Sequence, residues 1–154
     1  MEAKKLKNVR LRIANDEDLP FIFNSWLKSF RDSFFSRDIP DTIYFSDHHK
    51  IIEKILKNSV VMVSCNEDDP TQIYGYAVGG QEDGIFVLHY IYVKYTFRSL
   101  GIGTLLLKSF GHSGETASVY THHNNLAHKL ASKYNFIYHP YLMFIEEGNK
   151  DGKE

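Results

Sequence analysis

Between Val60 and Val93 three apolar segments follow one another with almost no chain between them. Val60 to Cys65 runs into Asn66-Glu67-Asp68-Asp69-Pro70, Ile73 to Val78 runs into Gly79-Gly80, and Ile85 to Val93 follows the turn signal Asp83-Gly84. Gaps this short imply consecutive antiparallel hairpins, because parallel neighbours need a crossover of a dozen residues or more. Any fold for this chain must be built around that meander.

Helical patterns surround it. Val9-Arg10-Leu11-Arg12-Ile13 alternates like a half-buried strand, and Asn15-Asp16 then offers an N-cap, with Pro20 suited to a first helical turn. Leu19, Ile22, Phe23, Trp26, Leu27 and Phe30 mark one apolar face. The pattern from Arg31 to Phe45 is irregular and aromatic, and a second helix is expected from about Ser46 to Asn58, burying Ile51, Ile52, Ile55 and Leu56. After Gly103 a helix carries Ile102, Leu105, Leu106 and Phe110. A strand over Ala117 to Thr121, a helix over Asn124 to Tyr134 and a final strand over Phe136 to Ile145, broken by Pro140, complete the chain. The order is β-α-α-β-β-β-α-β-α-β, an α/β domain with a mixed sheet. At 154 residues and 43% hydrophobic, the chain suits one domain, 1–147, with a loose tail over 148–154.

A formal net charge of −1 provides no general electrostatic attraction to nucleic acid or anionic membrane. No apolar run approaches the roughly 20 residues of a membrane-spanning helix, and no secretory signal opens the sequence. Cys65, the single cysteine, lies in a strand pattern and is expected to pack; its isolation suits a reducing cytoplasm. The eight histidines show no metal-ligand spacing, so no metal is expected.

The segment with chemical content is the strand ending at Val93, then Lys94 to Phe97, then Arg98-Ser99-Leu100-Gly101-Ile102-Gly103 opening a helix. Glycines between a strand and a helix let several backbone N–H groups converge on one oxyanion, and the helix N-terminus adds its positive dipole end. Arg98 supplies a charge suited to phosphate. A Walker A loop would need Gly-Lys-Ser/Thr where Gly103-Thr104-Leu105 stands, and a dinucleotide fingerprint a small residue at Leu106.

What remains, Arg/Gln-x-x-Gly-x-Gly/Ala about five residues after a strand-end apolar residue, resembles the signature of the GNAT (GCN5-related N-acetyltransferase) superfamily. The element order over about residues 9–145 matches too. The resemblance implies a mixed, mostly antiparallel sheet of six to seven strands flanked by four helices and splayed between strands 4 and 5, with acetyl-CoA as cosubstrate. It implies that Ile91 and Val93 offer backbone groups to the pantetheine arm. Arg98, Ser99, Gly101, Ile102, Gly103 and Thr104 would surround the phosphates, and Asn124, with Ala127 three residues on, would open the next helix beside the cofactor. Small GNAT-like proteins of phages and mobile elements are similar in outline.

Two departures concern proton transfer. The Tyr that many members carry seven residues after that Asn is Ala131 here, leaving Tyr134 as the candidate acid or a packing aromatic. The strand-4 Glu that serves several members as base is His89, read either as base or part of a proton wire, or as a hydrogen-bonded sheet histidine. His122 or His123 is a candidate to face the same cleft, and His48-His49 are expected to be exposed. Trp26 and Tyr44 belong to the aromatic region that would wall an acceptor site, with core packing the alternative. The implied reaction is acetyl transfer to a small-molecule or protein amine by direct attack, in a monomer or homodimer without membrane contact. A GNAT-like enzyme acting on a nucleic-acid base, or a non-catalytic CoA-binding or partner-binding module, stand as alternatives.

Overall fold

A computed structural model describes residues 8–111 and 117–144 of the chain; the expected tail and the domain limit at 147 lie outside them. Six strands form one sheet in sequence order: β1 Val9–Ile13, β2 Val60–Asn66, β3 Ile73–Glu82, β4 Ile85–Val93, β5 Ser118–Tyr120 and β6 Phe136–Tyr138. The expected hairpins are present, with β1 to β4 pairing antiparallel and β4–β5 and β5–β6 parallel.

Helices cover both faces. On one side lie α1 (Leu19–Phe30) and a compound helix made of α2 (Asp41–Ile43), a π turn (Tyr44–His48) and α3 (His49–Lys57). On the other lie α4 (Ile102–Ser109) and α5 (Asn125–Tyr134). Each face has its own core, the first built on Trp26, Phe30, Tyr76 and Tyr90, the second on Leu88, Ile91, Leu106 and Tyr120. Cys65 is fully buried in the first core, in the packing role its strand pattern suggested.

The entry to α1 is fixed as its sequence suggests. The Asn15 side chain accepts from the Glu17 N–H, and the Asp18 carboxylate accepts from the Asn15 N–H and from both Arg12 guanidinium nitrogens. The irregular stretch after α1 is organised by one side chain. Arg31 donates to the carbonyls of Ser36 and Ile39, pairs with Asp41 at 2.8 Å and lies over the Tyr44 ring.

Three local features depart from the sequence reading. The second helix begins at Asp41, five residues before Ser46, and its π turn aligns Tyr44, His48 and Ile52 on one buried stripe. The last strand stops at Tyr138 and gives way to a 3₁₀ turn over Pro140–Phe144, since proline has no N–H to continue a ladder. The third departure is in β4. Val78 pairs with Tyr90 but Gly79 with Leu88, so His89 is an extra, bulged residue. The bulge lets Leu88 and Ile91, three apart, share the α4/α5 face, while Val87 and His89 line a small cavity beside α3.

Candidate functional site

β5 is short and pairs with β4 only at Val87–Val119 and Leu88–Tyr120, with the Thr121 N–H donating to the Leu88 carbonyl as the last backbone contact. Beyond Leu88 the two strands part, as the resemblance implied. The Lys94 N–H points toward Tyr74 of β3, so alternation back along the strand as far as the bulge at His89 turns the backbone groups of Ile91 and Val93 to the open edge, where the Val93 carbonyl already accepts from Arg98.

The opening is a cleft of about 490 Å³. Ile91 and Val93 form its strand wall, and Arg98, Ser99, Gly101, Ile102, Gly103 and Thr104 the wall made by the glycine turn. Asn124, Lys129 and Lys133 face it from α5 and its cap, and Ser29 closes it from α1 across the sheet. All nine residues expected to surround the cofactor therefore line one cavity. Gly101 caps α4 at φ 85°, and a Cβ built there meets no atom within 4 Å, so the backbone is bare toward the cleft. Ser99 is also left-handed, at φ 67°. The first N–H groups of α4 have no carbonyl a turn behind them, and Ile102, Gly103 and Thr104 are cleft residues. This bare, donor-rich cradle at a helix N-terminus fits a pyrophosphate.

Arg98, expected to meet the phosphates, also makes a structural contact. Its Nε donates to the Val93 carbonyl at 2.8 Å, tying the turn to the strand end. Asn124 caps α5, its side chain accepting from the Ala127 N–H at 2.8 Å, the Asn-to-Ala spacing seen in the sequence. Lys129 and Lys133, exposed and one turn apart, add positive charge that the sequence reading missed; their i, i+4 spacing on α5 was the available signal.

Tyr134 is placed beside the glycine turn. Its hydroxyl donates to Thr104 Oγ1 at 3.2 Å, and its ring packs on the α4/α5 core. Ala131 packs there too. A different tyrosine stands at the inner end of the cleft: the Tyr90 hydroxyl is 2.5 Å from Ser29 Oγ and hydrogen-bonds the Asn124 side chain. Burial pushes Tyr90 up to about 12.

The three residues assigned to acceptor binding, Trp26, Tyr44 and His122, are closed off instead, at 0%, 2% and 1% exposure. Trp26 stacks on Tyr90 at 4.7 Å, and His122 meets both rings edge-on. The Tyr44 hydroxyl donates to the Leu27 carbonyl, and its ring stacks on His48. They pack because α1 and the π turn lay their apolar faces on the same stretch of β4. His48 is likewise buried, contrary to expectation, while His49 remains exposed and stacks on Phe23.

The buried His48 and His122 and the half-buried His89 are connected. His48 Nε2 and His122 Nε2 are 2.9 Å apart, His122 Nδ1 is 2.9 Å from Thr121 Oγ1, and Thr121 Oγ1 is 3.1 Å from His89 Nδ1. Burial pushes His48 and His89 down to about 4. His122 is held well below the ordinary imidazole value, by burial first and then by the neighbouring rings. His48 and Thr121 are the members of this chain that no sequence pattern marked. Among the described residues no group of three or more His, Cys, Asp or Glu could hold a metal ion, and no helix is long and apolar enough to cross a membrane.

No protein-family model and no curated protein matches the sequence. Solved structures do. A Pyrococcus furiosus protein assigned as an acetyl transferase matches 85% of this chain and 81% of its own, at 18% identity and a TM-score of 0.54. Apo-form YjaB from Escherichia coli matches at 17% identity and a TM-score of 0.46, over 66% of this chain and 63% of its own length, so this chain spans less than two thirds of that relative. YncA of Salmonella typhimurium, an acetyltransferase solved with acetyl-CoA, matches at 20% identity and 0.46, over 67% and 61%. With six strands in this order, a parallel splay beside β4 and a glycine turn opening the helix that follows, the chain has the fold of the GNAT N-acetyltransferases.

Proposed function

We propose that the chain binds acetyl-CoA in the cleft and transfers its acetyl group to an amine. The observation that carries this reading is the continuity of the cleft. It runs from the bare turn at Gly101, along the open edge of β4 at Ile91 and Val93, to Ser29 on the opposite side of the sheet. That is the shape of a ligand with phosphates at one end, a hydrogen-bonding arm in the middle and a reactive group at the other. The turn and the N-terminus of α4 hold the phosphates, with Lys129 and Lys133 adding charge. The backbone of Ile91 and Val93 pairs with the arm, and Ser29 with Asn124 borders the reacting end.

Bound acetyl-CoA supplies an activated thioester, so the chemistry is exchange of a C–S bond for a C–N bond, with one amine proton ending on the thiol. The chain's own task is to neutralise an alkylammonium before attack, because such groups are mostly protonated near neutral pH. Tyr134, bound to Thr104 far from Ser29, serves the phosphate end; Tyr90 is the hydroxyl at the reacting end.

Calorimetry of the purified protein with acetyl-CoA, followed by turnover with a panel of amines, peptides and nucleic acid, tests the reading. Saturable binding and release of free thiol with one amine class is the expected result. Absence of binding would sink the reading, and binding without turnover on any acceptor would favour a CoA-binding module.

A further inference from the structure

The Tyr90 hydroxyl joins three elements at one oxygen. Tyr90 belongs to β4; Ser29, whose Oγ is 2.5 Å away, belongs to α1; and Asn124, whose side chain it also hydrogen-bonds, caps α5. Both partners have a second fixed bond. Ser29 Oγ donates to the Ser25 carbonyl at 2.6 Å, so its one proton is committed and the 2.5 Å contact is a donation from Tyr90. Asn124 Oδ1 accepts from the Ala127 N–H at 2.8 Å, so the amide nitrogen is the half that donates to Tyr90. The bonds therefore run one way, from Asn124 to Tyr90 to Ser29 to Ser25. The phenol ring cannot swing out of this string, being 1% exposed and stacked on Trp26 at 4.7 Å.

One donor is left over. A side-chain amide nitrogen carries two N–H groups. Tyr90 holds one of them, and Asn124 lines the cleft, so the other is available to a ligand there. The same phenol oxygen fixes where that donor lies. Asn124 and Ser29 both reach it, so the two side chains are at most about 6 Å apart, two hydrogen bonds end to end, although their helices cover opposite faces of the sheet. Ser29 marks the end of the cleft away from the glycine turn, and it is exposed, so this end is open to solvent on the α1 side.

Resting on the proposed acetyl transfer, we propose that Tyr90 is a positioning residue that aims the remaining N–H of Asn124 at the thioester carbonyl oxygen of acetyl-CoA. With the phosphates at the glycine turn and the arm along Ile91 and Val93, the thioester is the part of the ligand that reaches Ser29 and Asn124. In the transfer the amine lone pair forms the C–N bond while the carbonyl electron pair moves onto oxygen. That pair returns as the C–S bond breaks, and the surplus proton on nitrogen ends on sulfur. A donor already in place when charge gathers on the oxygen stabilises it without any reorganisation at that moment. An amide held only at its oxygen has a broad, soft terminal torsion and loses part of that advantage. Burial pushes Tyr90 up to about 12, so near neutral pH the phenol keeps the proton it shares with Ser29 and the string keeps its direction.

Infrared spectroscopy of the protein with acetyl-CoA ¹³C-labelled at the carbonyl reads this bond without turnover. Asn124→Ser keeps an oxygen to cap α5 and removes the N–H, and the bound carbonyl stretch is expected to rise. Tyr90→Phe keeps the ring on Trp26 and removes the hydroxyl, and the band is expected to rise less and to broaden. In turnover, Asn124→Ser lowers kcat about 10²-fold, the lower end for losing one donor to a developing oxyanion, and Tyr90→Phe lowers it about tenfold. The KM for acetyl-CoA stays unchanged in Tyr90→Phe, and so does the affinity for CoA, which has no acetyl carbonyl. A fall in CoA affinity that matches the fall in kcat would assign Tyr90 to holding the cleft together and overturn the proposal. A bound carbonyl band that neither variant moves would overturn it as well, leaving acetyl-CoA binding intact. No bound band in the wild type would instead overturn the proposed function, and this inference with it.

Discussion

At the scale of single residues, Gly101 and Gly103 look alike in the sequence and differ in what they do. Gly101 is left-handed at φ 85° and faces open space; a Cβ on Gly103, already inside α4, would meet Leu130, Ile91 and Leu126 at 3.7–3.9 Å. Gly101→Val is expected to strain the backbone by about 1–2 kcal/mol and to put methyl groups where phosphate oxygens approach. Gly103→Ala should keep both fold and affinity. Calorimetry with CoA on the two variants checks this, and equal losses would mean the turn has no special geometry. The glycines were legible because a strand–glycine–helix pattern has few other uses. Trp26, Tyr44 and His122 were not, because an aromatic residue in sequence carries no sign of whether a neighbouring element covers it.

At the scale of elements, α5 presents Lys129 and Lys133 to the cleft while burying Ala127 and Leu130 behind. Both lysines are exposed, so each contributes modestly: loss of either should weaken CoA by about two- to fivefold, as for solvent-screened pairs, with no effect on a phosphate-free pantetheine analogue. Affinities measured at 50 and 300 mM salt should converge between the double Lys→Ala variant and wild type. A loss that persists at high salt would assign the lysines a packing role. Amphipathic spacing revealed α5 but not which polar side faced the cleft. The compound helix was only half legible for a related reason. Its π turn is an extra residue per turn, which breaks the 3.6-residue period on which sequence reading depends, so His48 looked exposed and is 3% exposed.

At the scale of the whole molecule, two helical layers and the sheet enclose His48 and His122 and half-bury His89, and this couples stability to pH. An unfolded chain takes up protons on these rings near pH 6.5, whereas the folded chain holds His48 and His89 down at about 4. The folded state thus binds fewer protons between those values, so stability falls as pH is lowered from about 6.5 to 4 and is indifferent to these rings above that window. The carboxylate of Asp18, held below its ordinary 3.8 by Arg12, loses its contribution only at still lower pH. Thermal melts between pH 4 and 7.5 should show Tm dropping on the acid side of pH 6.5, less steeply in His48→Phe; a flat profile would contradict the neutral triad. The sequence by itself determined the hairpin meander and the strand–glycine–helix junction, because periodicity, turn chemistry and glycine are local properties, while the nine lining residues and the place where the sheet parts were legible only through the resemblance to the GNAT signature. Only the tertiary structure decided what His89 faces. Strict alternation would put it on one face with Ile91 and Val93, but the bulge opposite Val78 and Gly79 sends those two toward α4 and α5 and His89 toward α3. There it joins His122 and His48 through Thr121, a meeting of residues up to 74 positions apart. A bulge is chosen by the partner strand and by packing on both faces, and neither is written in the residues that carry it.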